Sequence, residues 1–226
     1  MLVAANLIPV YGVLQLHWPV FSLLALFWIE LVIIGMVTVL SMLYAPASGL
    51  FSRIGKLIAW PFFLVGYAIP ILLYGIALAA IFQPDALNSL GYGLLGLSGV
   101  VQQPDLGIHL GIGILATVLL LLDAVGDGWF APVAIGALAA SHLVAFFRHY
   151  GVRGELRDSS AGVRSFKPFG WLVLMHVIVV AGGSAAMSGD SPVWAPLLII
   201  AVKTAVDLAA HLRQWSRLDP VPMPAG

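Results

Sequence analysis

The sequence predicts an all-α integral membrane protein, a helical bundle of about seven transmembrane helices with its N-terminus outside and its C-terminus in the cytoplasm. Hydrophobic residues make up 61% of the 226 residues and charged residues only 9%, and the mean hydropathy is +1.04. A soluble fold could not bury this much apolar surface. Several apolar runs approach or exceed the ~20 residues that cross the hydrocarbon core as a helix, and the alternating pattern of an outer-membrane barrel is absent.

The positive charges predict which helix ends face the cytoplasm. Apart from Lys203, every Lys and Arg falls in one of three segments, 53–56, 148–167 and 213–217. The positive-inside rule places these segments in the cytoplasm. An odd number of crossings must then connect the outer end of a helix near Phe82 with the inner end of a helix near Phe147. We therefore count the Gly-rich stretch near residues 86–101 as a short crossing.

Tryptophans and prolines support the helix boundaries. Trp60 and Trp171 lie near proposed helix ends, where indole rings prefer the membrane interface, and Pro61 and Pro168 lie near helix starts, where a missing backbone N–H costs little. An alternative topology keeps six crossings and makes one segment of the 86–123 region re-entrant. The predicted helices span roughly residues 19–44, 58–82, 86–101, 106–123, 129–147, 169–188 and 193–212.

The chain is predicted to form one transmembrane helical domain over residues 1–218, with a mobile Pro-rich tail at 219–226. Residues 1–18 lack a basic n-region and a cleavage motif, so we interpret them as mature sequence. The expected partners are the lipid bilayer and other membrane subunits, which could dock on helix faces or on the cytoplasmic 148–168 loop. Ten basic residues balance ten acidic ones, which gives no reason to expect nucleic-acid binding.

The clearest functional signal is a set of three ionisable residues inside the apolar run 193–212. Lys203, Asp207 and His211 are spaced four apart and therefore share one helix face. A charge inside the bilayer costs at least a few kcal/mol, so such residues are expected to face a partner, a cavity or a ligand. A structural ion pair between Lys203 and Asp207, and an interfacial position for His211, are simpler alternatives.

Three further residues could join this set. With the predicted topology, His142 and His176 lie in the inner half of their helices, in one layer with Asp207 and His211, and Glu30 could approach from the side. The chain has no cysteine, so His, Asp and Glu are the remaining candidates for metal ligands. A buried His also commonly bonds a backbone or hydroxyl group, and that alternative stays open. We expect an inner-leaflet site for a divalent metal or polar ligand at Glu30, His142, His176, Asp207 and His211.

Several short strings occur together along most of the chain. They are N-L-I-P-V-Y-G at 6–12, W-I-E at 28–30, S-H-L at 141–143, G-V-R-G-E at 151–155 and K-T-A-V-D-L-A-A-H at 203–211. Together they resemble a family of uncharacterised prokaryotic polytopic membrane proteins, a domain of unknown function. The resemblance implies a multi-pass protein of the cytoplasmic (inner) membrane of a prokaryote.

The chain departs from this family pattern in its second predicted helix. The family pattern carries two histidines there, in a form similar to F-F-x-x-H-Y-G followed by H-G, where this chain has Gly66 and Tyr74. The resemblance implies a complete intramembrane metal site in the family, built from those histidines and the five residues above. In this chain the set is depleted.

Three functions are compatible with these residues. The first is a metal-binding membrane protein, with zinc, iron, copper or manganese supporting chemistry on a lipid-soluble substrate and with Lys203 tuning Asp207. The second is a non-catalytic accessory subunit of a larger membrane complex, with haem or a pigment bound to a histidine. The third is a small transporter or proton channel that uses Glu30, Lys203 and Asp207 as a relay.

Overall fold

The structure, a computed structural model, describes residues 2–44, 50–97, 106–125, 130–147, 168–170, 172–174, 176–177 and 194–216. The regular elements in these ranges are helices, which confirms the all-α class. The described residues near Phe169 and His176 are also helical, and we call them the 168–177 segment. The helices are α1 (Leu2–Gln15), α2 (Val20–Tyr44), α3 (Leu50–Phe82), α4 (Pro84–Leu97), α5 (Leu106–Asp123), α6 (Phe130–Phe146) and α7 (Trp194–Ser216).

Two of the described helices are long and apolar enough to cross a membrane. These stretches are Val20–Tyr44 in α2 and Arg53–Phe82 in α3. Helices α5, α6 and α7 contain shorter apolar stretches, Ile108–Asp123, Pro132–Phe146 and Pro196–Val206. The observed helices match the predicted positions in α2, α4, α5, α6 and α7. The number of crossings and the sides of the two termini stay predictions.

Helix α1 is an element that the predicted set of helices did not include. Asn6, Pro9 and Gly12 interrupt its apolar pattern, yet the helix continues through Pro9. Its contacts with α6 and α7 offset these weak local preferences, as tertiary packing commonly does. The helix ends in a tight turn at His17, whose φ is 53°, and the N–H of Trp18 donates to the carbonyl of Gly12 at 3.0 Å. This turn sends the chain directly into α2.

Helix α2 forms the centre of the described bundle. It contacts α1, α3, α5, α6 and α7. Residues 23–27 are at most 1% exposed, so this part of the helix is covered on all its faces. The sequence is consistent with such burial, because Glu30 is the only charged residue of α2 and the helix lacks the polar stripe of one that borders water.

An aromatic side chain of α2 binds the backbone of α3. The Trp28 indole Nε1 donates to the carbonyl oxygen of Ile71 at 2.8 Å, and both groups are buried. The indole can approach because Gly75 has no side chain, since a Cβ there would lie 2.9 Å from Nε1. Gly75 is one helical turn beyond the accepting carbonyl. The missing side chain therefore makes room for the hydrogen bond.

The same arrangement occurs in the opposite direction, from α3 to α2. The Tyr67 hydroxyl donates to the carbonyl oxygen of Leu31 at 3.1 Å. A Cβ at Gly35, one turn beyond Leu31, would lie 2.5 Å from the Tyr67 ring. We call the two arrangements the reciprocal clasps. Residue 28 of α2 pairs with residue 71 of α3, and residue 31 of α2 pairs with residue 67 of α3. The residue numbers rise along one helix as they fall along the other, so the two helices are antiparallel neighbours.

The outer face of α3 is exposed and apolar. Phe62, Val65, Ile69 and Leu73 follow one another at spacings of three and four, and Phe62 is 80% exposed. A continuous apolar stripe of this kind indicates contact with lipid or with another protein. The opposite face of the same helix contributes buried residues to the core, listed as Phe63, Tyr67, Ile71, Tyr74 and Leu78.

Some predicted features lie outside the described residues. They include residues 148–167 of the predicted cytoplasmic loop, the tail at 219–226 and most of the predicted helix at 169–188. The α2–α3 connection at 45–49 also lies outside them. Across that connection, the Lys56 ammonium donates to the carbonyl oxygen of Leu43 in the last turn of α2, where a cation satisfies a helix-end carbonyl.

The reciprocal clasps predict that glycine is required at position 75. Gly75→Ala should lower the free energy of unfolding by about 1–3 kcal/mol, because the new Cβ forces the Trp28 indole away from its acceptor. The measurement is thermal unfolding of the purified protein in mild detergent. Gly66→Ala is the matched control in the same helix, because its Cβ would meet Phe169 at 3.9 Å, an ordinary contact. Equal stabilities of the two variants would contradict the clasp.

Candidate functional site

Glu30 is the acidic residue in the middle of the most buried helix. It lies about 15 Å along α2 from Val20, given a rise of ~1.5 Å per residue. It follows Trp28 by two residues, which turns its side chain about 200° away from the face that clasps α3. Glu30 therefore faces α6 and α7, the two helices that supply its partners.

Lys203 of α7 binds the Glu30 carboxylate through both oxygens. Its Nζ lies 3.1 Å from Oε1, to which it donates a hydrogen bond, and 3.0 Å from Oε2. The side chain of Lys203 is 4% exposed and that of Glu30 is 13% exposed. Two charges that are removed from water in this way must neutralise each other. The pair explains how an apolar core holds both residues.

Phe27 supports the same ammonium group from the side. The Nζ of Lys203 lies 5.2 Å from the centroid of the Phe27 ring, within the range of a cation–π interaction. Phe27 precedes Glu30 by three residues, so both side chains lie on one face of α2. One helix thus provides the carboxylate and the aromatic ring that hold Lys203.

His142 of α6 is the third polar partner of the site. Its Nε2 lies 3.5 Å from Oε1 of Glu30, and 28% of its side chain is exposed. It lies four residues before the end of α6 at Phe146, or about 6 Å along the helix axis. Its neighbour Ser141 donates its hydroxyl to the carbonyl of Leu138. We call Glu30, Lys203 and His142 the buried triad.

The triad brings together three of the residues that the sequence singled out. Glu30 and His142, both members of the predicted site, lie 3.5 Å apart. Lys203 bonds Glu30 across 173 positions of the chain, a pairing that the helix spacing of Lys203 and Asp207 did not reveal. The side chains of Asp207 and His211 lie outside the described part of the structure, so their membership of the site stays a prediction.

His176 lies beside Tyr74, at a distance of 6.0 Å between ring centroids. Seven residues earlier on both helices, Tyr67 and Phe169 are 5.8 Å apart. The two contacts share one register, so the 168–177 segment runs parallel to α3. The departures from the family pattern at Gly66 and Tyr74 both face this segment, because a Cβ at Gly66 would meet Phe169.

The described side chains contain no group of three or more His, Cys, Asp or Glu that could hold a metal ion. Glu30 and His142 supply two donors, but the Lys203 ammonium lies against both carboxylate oxygens. A positive charge at that position repels a divalent cation. The described part of the predicted metal set therefore does not fit a divalent metal, and the full set with Asp207 and His211 stays a prediction.

Two features of the site were not predicted from the sequence. Phe27 was not singled out, because an aromatic residue in an apolar helix carries no separate signal. The Glu30–Lys203 pair had a usable signal, because opposite charges within membrane helices commonly pair with one another.

A family described as "Family of unknown function (DUF6498)" matches residues 1–222. This confirms the expected resemblance to an uncharacterised family. No curated protein matches the chain significantly, nor does any solved structure.

The ion pair predicts strong coupling between Glu30 and Lys203. Lys203→Met should destabilise the protein by about 3 kcal/mol, because it leaves a buried carboxylate without its counter-charge, and Glu30→Gln should have an effect of similar size. The double variant should be clearly more stable than the sum of the two effects implies. Thermal unfolding in detergent measures all three variants. Strictly additive losses would contradict a direct pair.

Proposed function

The chain belongs to the DUF6498 family of unknown function, and we propose from the geometry of the buried triad that it is a small membrane transporter or proton channel. One observation carries this proposal. The side chains of Lys203 and Glu30 are only 4% and 13% exposed. The side chain of His142, which contacts the same carboxylate oxygen as Lys203, is 28% exposed. The triad therefore has a buried end and an end that reaches the surface of the molecule.

Histidine is the side chain suited to the outer end of a proton path. An imidazole ring can accept a proton at one nitrogen and donate one from the other, so histidine commonly acts as a proton shuttle. With neutral His142 the triad has no net charge, because Glu30 and Lys203 cancel. With protonated His142 the triad carries one positive charge. A single proton thus changes the charge of the site.

Transfer from His142 to Glu30 needs no other reactant, whereas the onward step needs a second proton acceptor, water or another carboxylate. A proton on Nε2 of His142 passes to Oε1 of Glu30, which leaves a neutral imidazole and a neutral carboxyl group. The Lys203 ammonium then loses its anionic partner but keeps its contact with the Phe27 ring. A further acceptor receives the proton from Glu30 and restores the ion pair.

A membrane location supports the same proposal. Two helices meet the length and composition of membrane spans, and the outer face of α3 is an apolar stripe. We propose that the chain is a multi-pass protein of a prokaryotic inner membrane, with His142 near the cytoplasmic surface. The positive-inside pattern places the inner end of α6 there.

The metal site and the accessory subunit remain competing proposals. The first requires Asp207, His211 and His176 to join Glu30 and His142. The second requires haem or a pigment on a histidine, and a Soret or pigment absorbance band in the purified protein would support it. The position of Lys203 on both oxygens of Glu30 favours the proton path over the metal site.

Proton flux into liposomes tests the proposed function. The wild-type protein should dissipate an imposed pH gradient, measured with an entrapped pH-sensitive dye. Glu30→Gln should abolish the flux, and His142→Gln should reduce it at least about tenfold, a typical effect of losing a proton-transfer group. His109→Gln is the matched control, because His109 is an exposed histidine outside the triad. Wild-type flux equal to that of empty liposomes would refute the proposal.

Elemental analysis separates the proton path from the metal site. Protein purified without added metal should contain no stoichiometric metal that depends on Glu30, because Lys203 already neutralises the carboxylate. Near-stoichiometric zinc, iron, copper or manganese, lost in both His176→Ala and Asp207→Ala, would instead support the five-residue metal site. Circular dichroism of each variant checks that the helices persist.

A further inference from the structure

The Glu30 carboxylate already holds a cation, the ammonium group of Lys203. The Nζ atom lies 3.1 Å from Oε1 and 3.0 Å from Oε2, so it contacts both oxygens that a free cation would use. The side chain of Lys203 is 4% exposed, and its backbone is part of α7. The ammonium group is therefore a tethered cation, held at the carboxylate by the packing of α2 against α7.

An alkali-metal cation has no equivalent position beside Glu30. Such an ion enters a protein site only when several protein oxygens replace its hydration water. Both carboxylate oxygens contact the Lys203 ammonium, and His142 adds a nitrogen atom at Oε1. A second cation would also be repelled by the ammonium at short range, in a place that water hardly reaches. Sodium or potassium therefore binds Glu30 only if Lys203 leaves.

A proton differs from these ions because it needs no shell of ligands. It adds to the single oxygen Oε1, which His142 contacts from the more exposed end of the triad. The step breaks an N–H bond at Nε2 of His142 and forms an O–H bond at Oε1. Lys203 does not have to move away for this step. The geometry therefore admits a proton to Glu30 and excludes larger cations.

Phe27 holds the ammonium group after Glu30 becomes neutral. The residue is 1% exposed, and its ring centroid lies 5.2 Å from the Nζ of Lys203. A cation–π contact is stronger where water is excluded, and it does not depend on the charge of Glu30. The position of the tethered cation thus stays filled in both protonation states of the carboxyl group.

We propose that Lys203 is the specificity-determining residue of the triad, and that it restricts the path through Glu30 to protons by excluding sodium and potassium. This inference rests on the proposed function and names the proton as the substrate. Removal of the ammonium group leaves a buried anion, and a sodium ion then takes the place of the missing counter-charge. Sodium binding to a Lys203 variant is therefore the property to measure.

Thermal unfolding of the full-length protein in mild detergent measures this binding. Each variant is compared in sodium chloride and in choline chloride at the same concentration, so that the ionic strength is constant. Lys203→Met should unfold about 3–5 °C higher in ~200 mM sodium chloride, the shift expected of a site with a Kd of ~20 mM. The wild type should show no difference between the two salts. The double variant of Lys203→Met with Glu30→Gln should also show none, because it has no carboxylate at position 30.

Two further variants control the experiment. Lys56→Met also removes one lysine charge, but Lys56 donates to the Leu43 carbonyl, outside the triad, so it should show no sodium effect. Lys203→Gln keeps a side chain that donates to the carboxylate, so it covers the case in which Lys203→Met does not fold, and it should show a smaller sodium shift. The proposal is overturned if sodium stabilises the wild type, if neither Lys203 variant responds, or if Lys56→Met or the double variant responds as strongly as Lys203→Met.

Flux measurements separate this inference from the proposed function. Liposomes that contain the wild-type protein should take up no more radioactive sodium than empty liposomes, and greater uptake would overturn the exclusion. A wild type that carries no protons would refute the proposed function. The sodium shift of Lys203→Met is measured without any flux, so it still decides whether Lys203 excludes metal cations from Glu30.

Discussion

The ion pair between Glu30 and Lys203 is the constraint that organises this bundle. A carboxylate in the middle of α2, the most buried helix, is tolerated only with a counter-charge. Lys203 supplies that charge from α7 at 3.0 Å. The pair therefore ties the C-terminal helix to the centre of the molecule, although the two residues are 173 positions apart in the chain.

The two sides of α2 use different interactions. On one side, the reciprocal clasps bind α2 to α3 through Trp28 and Tyr67, each of which donates to a carbonyl beside a glycine. On the other side, Glu30 faces α6 and α7 through charged groups. The hydrogen bonds of Trp28 and Tyr67 join uncharged groups, so protonation of His142 does not change their charge. The same protonation adds one positive charge to the triad. A change of protonation would thus act on α6 and α7 while α2 and α3 stay joined.

The family pattern and the geometry describe two separate polar regions. Tyr74 and His176 lie on the α3 side, together with the neighbouring aromatic rings of Tyr67 and Phe169. Glu30 and His142 lie on the opposite side of α2. The departures from the family pattern at Gly66 and Tyr74 therefore affect the α3 side, and the triad retains its three partners. The two family histidines that this chain lacks therefore belong to the α3 side of α2. Their replacement leaves the contacts among Glu30, Lys203 and His142 intact.

Composition and periodicity determined the helical class and most of the helix positions, because long apolar runs have few other stable forms. They also identified Glu30, His142 and Lys203, since a polar group in an apolar helix stands out in any sequence. The partners of these groups were decided by the tertiary structure. Lys203 binds the Glu30 carboxylate on another helix, and only the packing of α2 against α7 determines that this carboxylate lies within its reach. Helix α1 also depends on the tertiary structure. It continues through Pro9 because it packs against α6 and α7, and no local sequence pattern encodes these contacts.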